Sequence, residues 1–103
     1  MPSITRSMVR EDSRGKDFLN LFAYTGSFSV YAAAGGARSV HTVDLSNTYL
    51  DWARENFELN GLDARAQAYT FTAADVMALL PTLPSQSYDL IVCDPPTFSN
   101  SKK

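Results

Sequence analysis

Histidine, cysteine and tryptophan occur once each in these 103 residues, as His41, Cys93 and Trp52. A lone cysteine excludes an internal disulfide and fits a reducing compartment, so a cytoplasmic location is expected. No metal site is expected. The hydroxyl, imidazole and carboxylate set of a nucleophilic hydrolase is missing, and His41 reads as a sheet residue. No apolar run approaches membrane-spanning length, so no membrane partner is expected. The segment from Met1 to Lys16 lacks the apolar stretch of a secretory signal. A formal charge of −2 gives no overall basic field, which leaves nucleic acid neither demanded nor excluded. Internal repeats and low-complexity tracts are absent. So is the G-x-G-x-x-G fingerprint of a dinucleotide pyrophosphate site.

What is present is a regular alternation. Residues 1–16, carrying Arg6, Arg10, Arg14 and Lys16, read as a flexible lead or a truncated helix, and residues 17–103 as one small domain. Phe18-Leu19-Asn20-Leu21-Phe22 has the near-continuous apolar character of a strand buried on both faces. Thr25-Gly26-Ser27 breaks it, and Phe28 to Ala34 reads as a short helix stopped by Gly35-Gly36. Ser39 to Val43 is a β-branched strand ending at Asp44. Ser46 can cap a helix whose Leu50, Ala53 and Phe57 recur at helical spacing, with Arg54 and Glu58 placed to pair at i,i+4. Tyr49 and Trp52 on that helix read as packing residues. Ala68 to Thr72 predicts a more exposed strand, Asp75 to Leu80 a short helix before Pro81, and Tyr88 to Cys93 a fourth strand. Strands alternating with helices in this way predict an α/β fold with a parallel sheet.

In such sheets ligands bind beyond the carboxyl ends of the strands, and the chemistry-bearing residues fall there. The loop with Gly26 follows the first strand and leads to a helix N-terminus suited to an anionic group. Asp44 ends the second strand, where a carboxylate can accept from both hydroxyls of a ribose; a cap or turn aspartate is the alternative. Asp75 can accept from an adenine amino group or cap the helix after it. Asp94 ends the fourth strand, and Pro95-Pro96 forms a stiff extended shelf, which is also an ordinary way to leave a sheet.

Taken together, FLNLFAYTGSFSVYAA, VDLSNTYLDWARENFELNGL and DPPTFSNSKK resemble class I S-adenosylmethionine-dependent methyltransferases. The likeness is closest to the bacterial ribosomal RNA large-subunit methyltransferases of the K and L type, in the domain that methylates N7 of a guanine. It covers nearly everything from Gly15 to Lys103. It implies a Rossmann-like parallel sheet, here its N-terminal half with about four strands, and S-adenosyl-L-methionine as cofactor. It further implies that the loop around Tyr24, Thr25 and Gly26, flanked by Phe22 and Ser27, embraces the methionine part. Asp44 with Leu45 then holds the ribose, and Asp75 with Val76 faces adenine. Asp94, Pro95 and Pro96 match the motif bordering methyl donor and target base, with Phe98 beside them. Asn20, where many class I members carry an acid, and the single loop glycine depart from the broad pattern.

The expected chemistry is methyl transfer to ribosomal RNA. Guanine N7 offers a free lone pair, so attack on a sulfonium methyl needs no general base. Asp94 can accept from the guanine edge and Phe98 can stack on an extruded base, with core packing the alternative for Phe98. Cys93, inside an apolar run, reads as a buried inert thiol. The rival readings are a nicotinamide-dependent oxidoreductase and a cofactor-binding remnant without turnover. A class I domain has more strands than these four, so the chain is expected to be an inactive fragment whose sheet edge invites self-association. Ribosomal RNA would be met through the parent domain.

Overall fold

Of the three described helix-to-strand junctions that carry a glycine in left-handed backbone, two close in the same way. After Ala34, Gly36 has φ 92°; its N–H donates to Ala33 O and that of Ala37 donates to Ala32 O. After Leu59, Gly61 has φ 74°, with Gly61 N donating to Glu58 O and Leu62 N to Phe57 O. Both are Schellman closures, which satisfy orphan carbonyls and turn the chain back toward the sheet. The structure, a computed structural model, describes residues 6–21, 27–83 and 87–93. The elements are α1 (Arg6–Asp12), β1 (Asp17–Leu21), α2 (Ser27–Ala34), β2 (Ser39–Asp44), α3 (Asn47–Leu59), β3 (Tyr69–Ala73), α4 (Val76–Leu79) and β4 (Leu90–Cys93), with a 3-10 turn over Leu80–Thr82 that takes in Pro81.

The four strands are parallel in the order β3-β2-β1-β4. From β1 the chain steps outward twice, through α2 and α3, then returns past β1 to lay down β4. Right-handed crossovers made in opposite directions put their helices on opposite faces, and the core divides accordingly. One cluster joins Val9 of α1, Val30, Ala32 and Ala33 of α2, and Phe57 of α3 to Phe18, Val40 and Val92. The other sets Val76 of α4 against Leu19, Leu21 and Val43, with Leu79, Leu83 and Tyr88 packed on it. Alternate strand residues thus serve different layers, which is why β1 and β2 read as unbroken apolar runs.

The segment before β1 is ordered as α1, with Val9 only 2% exposed. Its approach depends on Gly35, where a Cβ would lie 2.1 Å from the carbonyl oxygen of Arg10. Ser46 caps α3 as the sequence predicts, accepting from Tyr49 N at 3.2 Å. Arg54, however, pairs backward with Asp51 at 3.0 Å and lies over the Phe71 ring, while Glu58 accepts from Ala64 N. The expected Arg54–Glu58 pair gives way because both side chains have closer partners. Trp52 is also not a core residue: it is 47% exposed and stacks at a tilt on Tyr49.

Cys93 is exposed rather than buried. Its strand is an edge of the described sheet, and on the face away from α1 nothing described covers β4, so Ile91 is exposed with it. An apolar run therefore marked a strand but not two covered faces.

Candidate functional site at the carboxyl ends of the strands

Because all four strands point the same way, their last residues lie along one edge. Leu21 is in register with Val43 on one side and Cys93 on the other, and Asp44 with Ala73. Phe22 and Asp94 therefore each follow one member of a registered pair on adjacent strands. Phe22, Tyr24, Thr25 and Gly26 lie outside the described residues, as do Asp94, Pro95, Pro96 and Phe98; Ser27 begins α2. The register brings the origins of both motifs together at β1 and β4.

Asp44, Leu45 and Asp75 are brought together directly. The carbonyl oxygen of Asp44 accepts from Ala74 N at 3.0 Å, which ties the end of β2 to the residue before Asp75. The Asp44 side chain is nearly buried, and its Oδ1 accepts from Ser46 N at 2.9 Å. Ser46 carries the helix cap, so Asp44 is a turn-forming carboxylate fixed in position at a strand end. Asp75 caps α4, its Oδ1 accepting from Met77 N at 3.0 Å. Leu45 is 72% exposed between them, an apolar side chain offered to solvent. Val76 turns its side chain into the core, so only its main chain can meet a ligand.

Behind the edge runs a buried polar chain. Asn20 Nδ2 donates to Ser29 Oγ at 3.0 Å, and Ser29 Oγ lies 2.7 Å from Thr42 Oγ1, linking β1, α2 and β2 inside the core. Asn20 Oδ1 is buried without a hydrogen-bond partner among the described residues. A buried acceptor left open costs about 1–3 kcal/mol, so a donor belongs beside it, one residue from the end of β1. Ser29 and Thr42 did not figure among the sequence candidates; their only signal is polarity at positions whose neighbours are apolar.

His41 is a sheet residue with a specific task. Its Nδ1 lies 2.6 Å from the Tyr88 hydroxyl and its Nε2 2.7 Å from Thr72 Oγ1, a strap that crosses β1 and joins the approach to β4 to β2 and β3. Burial lowers the His41 pKa. The Tyr88 hydroxyl is raised, first by burial and then by the negative charge of Asp17. At the amino ends of the strands, Arg38 binds Asp17 through Nε and Nη2 and reaches Asp89. That guanidinium, with the Ser39 hydroxyl, holds the Asp17 carboxyl down at about 2.

A nucleoside-bearing cofactor fits what the edge provides. A fixed carboxylate suits ribose hydroxyls, an exposed leucine suits a flat base, and an open acceptor stands at the end of β1. Among the described residues no group of His, Cys, Asp and Glu could hold a metal, and no helix is long and apolar enough to cross a membrane.

A family model described as S-adenosylmethionine-dependent methyltransferase matches residues 2–102. The chain is 60% identical over 101 residues to a ribosomal RNA large subunit methyltransferase K from Neisseria meningitidis serogroup B, covering 96% of this chain and 28% of that protein. It is 59% identical over 100 residues to a ribosomal RNA large subunit methyltransferase K/L from Shewanella loihica, covering 97% of this chain and 14% of that one. The chain thus spans under a third of the length of these relatives. A solved methyltransferase dependent on S-adenosylmethionine from Agrobacterium tumefaciens superposes with TM-score 0.73 at 38% identity, over 88% of this chain and 29% of its own. A candidate methyltransferase crystallised with S-adenosylhomocysteine (SAH) superposes with TM-score 0.77 at 36% identity, over 95% of this chain and 26% of its own.

Proposed function

Because this chain belongs to the S-adenosylmethionine-dependent methyltransferase family, we propose that it is the cofactor-holding part of an enzyme that methylates large-subunit ribosomal RNA at N7 of a guanine. The observation that carries the reading is the convergence of Asp44, Leu45 and Asp75 at one edge of a parallel sheet, beside the strand ends from which the Gly26 loop and Asp94 depart. The names of the relatives support ribosomal RNA as the substrate class.

When bound, S-adenosylmethionine supplies an electrophilic methyl on sulfur. Asp44 accepts from the ribose hydroxyls, Leu45 packs on the base, and Asp75 accepts from the adenine amino group. By the family resemblance, Phe22, Tyr24, Thr25, Gly26 and Ser27 would border the methionine part, and the main chain of Val76 would meet the base edge. By the same resemblance, Asp94 would receive the guanine edge, Pro95 and Pro96 would stiffen the chain that presents it, and Phe98 would stack on the base. Guanine N7 carries a lone pair and no proton, so alignment and local charge do the work that a base does elsewhere.

On the same reading the 103 residues by themselves hold cofactor without turning over: among the described residues Ile91 and Cys93 of β4 face solvent, and that strand offers no closed pocket for a base. A chimera tests both statements. Exchanging the matched stretch of the Neisseria relative for this chain should give an enzyme that labels unmodified large-subunit ribosomal RNA, and borohydride with aniline should cleave the RNA at a single methylated guanine. The isolated chain should give no incorporation. Methyl found on a carbon or an exocyclic nitrogen, or robust transfer by the chain alone, would contradict the respective statement.

A further inference from the structure

At the far edge of the sheet from the cofactor end, α1 crosses the last turn of α2 over Gly35. The crossing leaves an open depression of about 590 Å³ lined by Arg10, Glu11, Arg14, Ala34, Gly35 and Gly36. Arg10, in α1, and Arg14, in the turn that follows Asp12, both line this depression. The Arg14 stem is laid across the bare Gly36 backbone, where an added Cβ would meet its Cγ at 3.6 Å. Gly15 N donates to Gly36 O and Arg38 N to Lys16 O, which brings Lys16 to the same rim.

The charges here differ from those of Arg38 and Arg54. Arg38 is spent on Asp17 and Asp89, and Arg54 on Asp51. Among the described residues neither the Arg10 nor the Arg14 guanidinium has an ion pair or a hydrogen bond. Glu11 leaves the lining with a net positive charge. Two fork-shaped donors over a shallow, glycine-floored notch suit the exposed oxygens of a phosphodiester better than an enclosed small ligand. The Schellman bonds to Gly36 and Ala37 occupy the Ala33 and Ala32 carbonyls of α2.

We infer that the Arg10–Arg14 notch is a phosphate-binding site for the RNA backbone. It lies one strand length from the cofactor edge, roughly 17 Å for five residues. The notch adds affinity and orientation without reading sequence. This rests on RNA being the substrate class, and the test separates the two.

The affinity of the chain for a labelled large-subunit ribosomal RNA hairpin is followed by fluorescence anisotropy through a potassium chloride series. Arg10→Gln with Arg14→Gln should weaken binding and lower the slope of log affinity against log salt by roughly 0.7–0.9 for each phosphate that is no longer neutralised. Arg65→Gln, in the exposed turn before β3, should leave the slope unchanged, and calorimetric affinity for S-adenosylmethionine should be unchanged in all variants. An unaltered slope in the double variant, or an equal weakening with Arg65→Gln, overturns the site. Protection by inorganic phosphate with no change in the RNA slope overturns the RNA assignment, as does a poly-glutamate peptide bound with the same dependence on both arginines. A lowered slope in a chain that fails to bind S-adenosylmethionine keeps the notch and removes the methyltransferase reading.

Discussion

His41 makes the sharpest residue-scale statement because both ring nitrogens meet hydroxyls in a half-buried setting. Its folded pKa lies below that of the free side chain, so the unfolded chain takes up the proton more readily. Its contribution to stability is therefore complete above the unfolded pKa and declines as the pH falls through about 6.5 and below. Asp17 shifts the same way but in a lower window: its stabilising ionisation is lost only as the pH falls from 3.8 toward about 2. The two do not overlap. Melting temperature should drop between about pH 7.5 and about pH 5.5, and His41→Asn should flatten that drop while lowering stability at neutral pH. An unchanged pH slope in the variant would remove His41 from the account.

Among the elements, α3 was the most legible because its cap, its apolar spacing and its terminator agreed, although the Arg54–Glu58 pair and the packing of Trp52 did not follow. Its cap Ser46, its buried Leu50, Ala53 and Phe57, and its terminal Asn60-Gly61 all stand as the sequence predicts. Phe57 holds the helix to the sheet through edge-on packing with Tyr69 and Phe71 at 5.0 and 5.2 Å. Phe57→Ala should cost about 3–5 kcal/mol of unfolding free energy in urea titrations, since a buried ring leaves a cavity that the sheet cannot fill. A loss below about 1 kcal/mol would mean that α3 is held elsewhere. The helix α1 was harder to read. Seven mostly polar residues are anchored by Val9 and by an approach that only the distant Gly35 permits, so no local pattern announces it. The exposure of Cys93 and Trp52 was hidden for a related reason: composition gives hydrophobicity, whereas cover depends on which layer passes overhead.

At the scale of the whole molecule, the alternation of strands and helices carried both the parallel sheet and the edge where ligand-binding residues gather. The strand order β3-β2-β1-β4 follows from two crossovers outward and one back. What the alternation could not carry is the wiring between elements: the Asn20–Ser29–Thr42 chain, the Tyr88 strap and the Asp44–Ala74 tie, each joining residues far apart in sequence. The central claim is that this sheet edge holds S-adenosylmethionine through Asp44. Calorimetric titration of the chain with S-adenosylmethionine, beside Asp44→Ala whose melting curve shows an intact fold, measures it most directly. Saturable one-to-one binding should weaken in the variant by on the order of 1.5–3 kcal/mol, the worth of hydrogen bonds to a charged acceptor. Equal affinity in the two proteins, or no heat of binding in either, would contradict it.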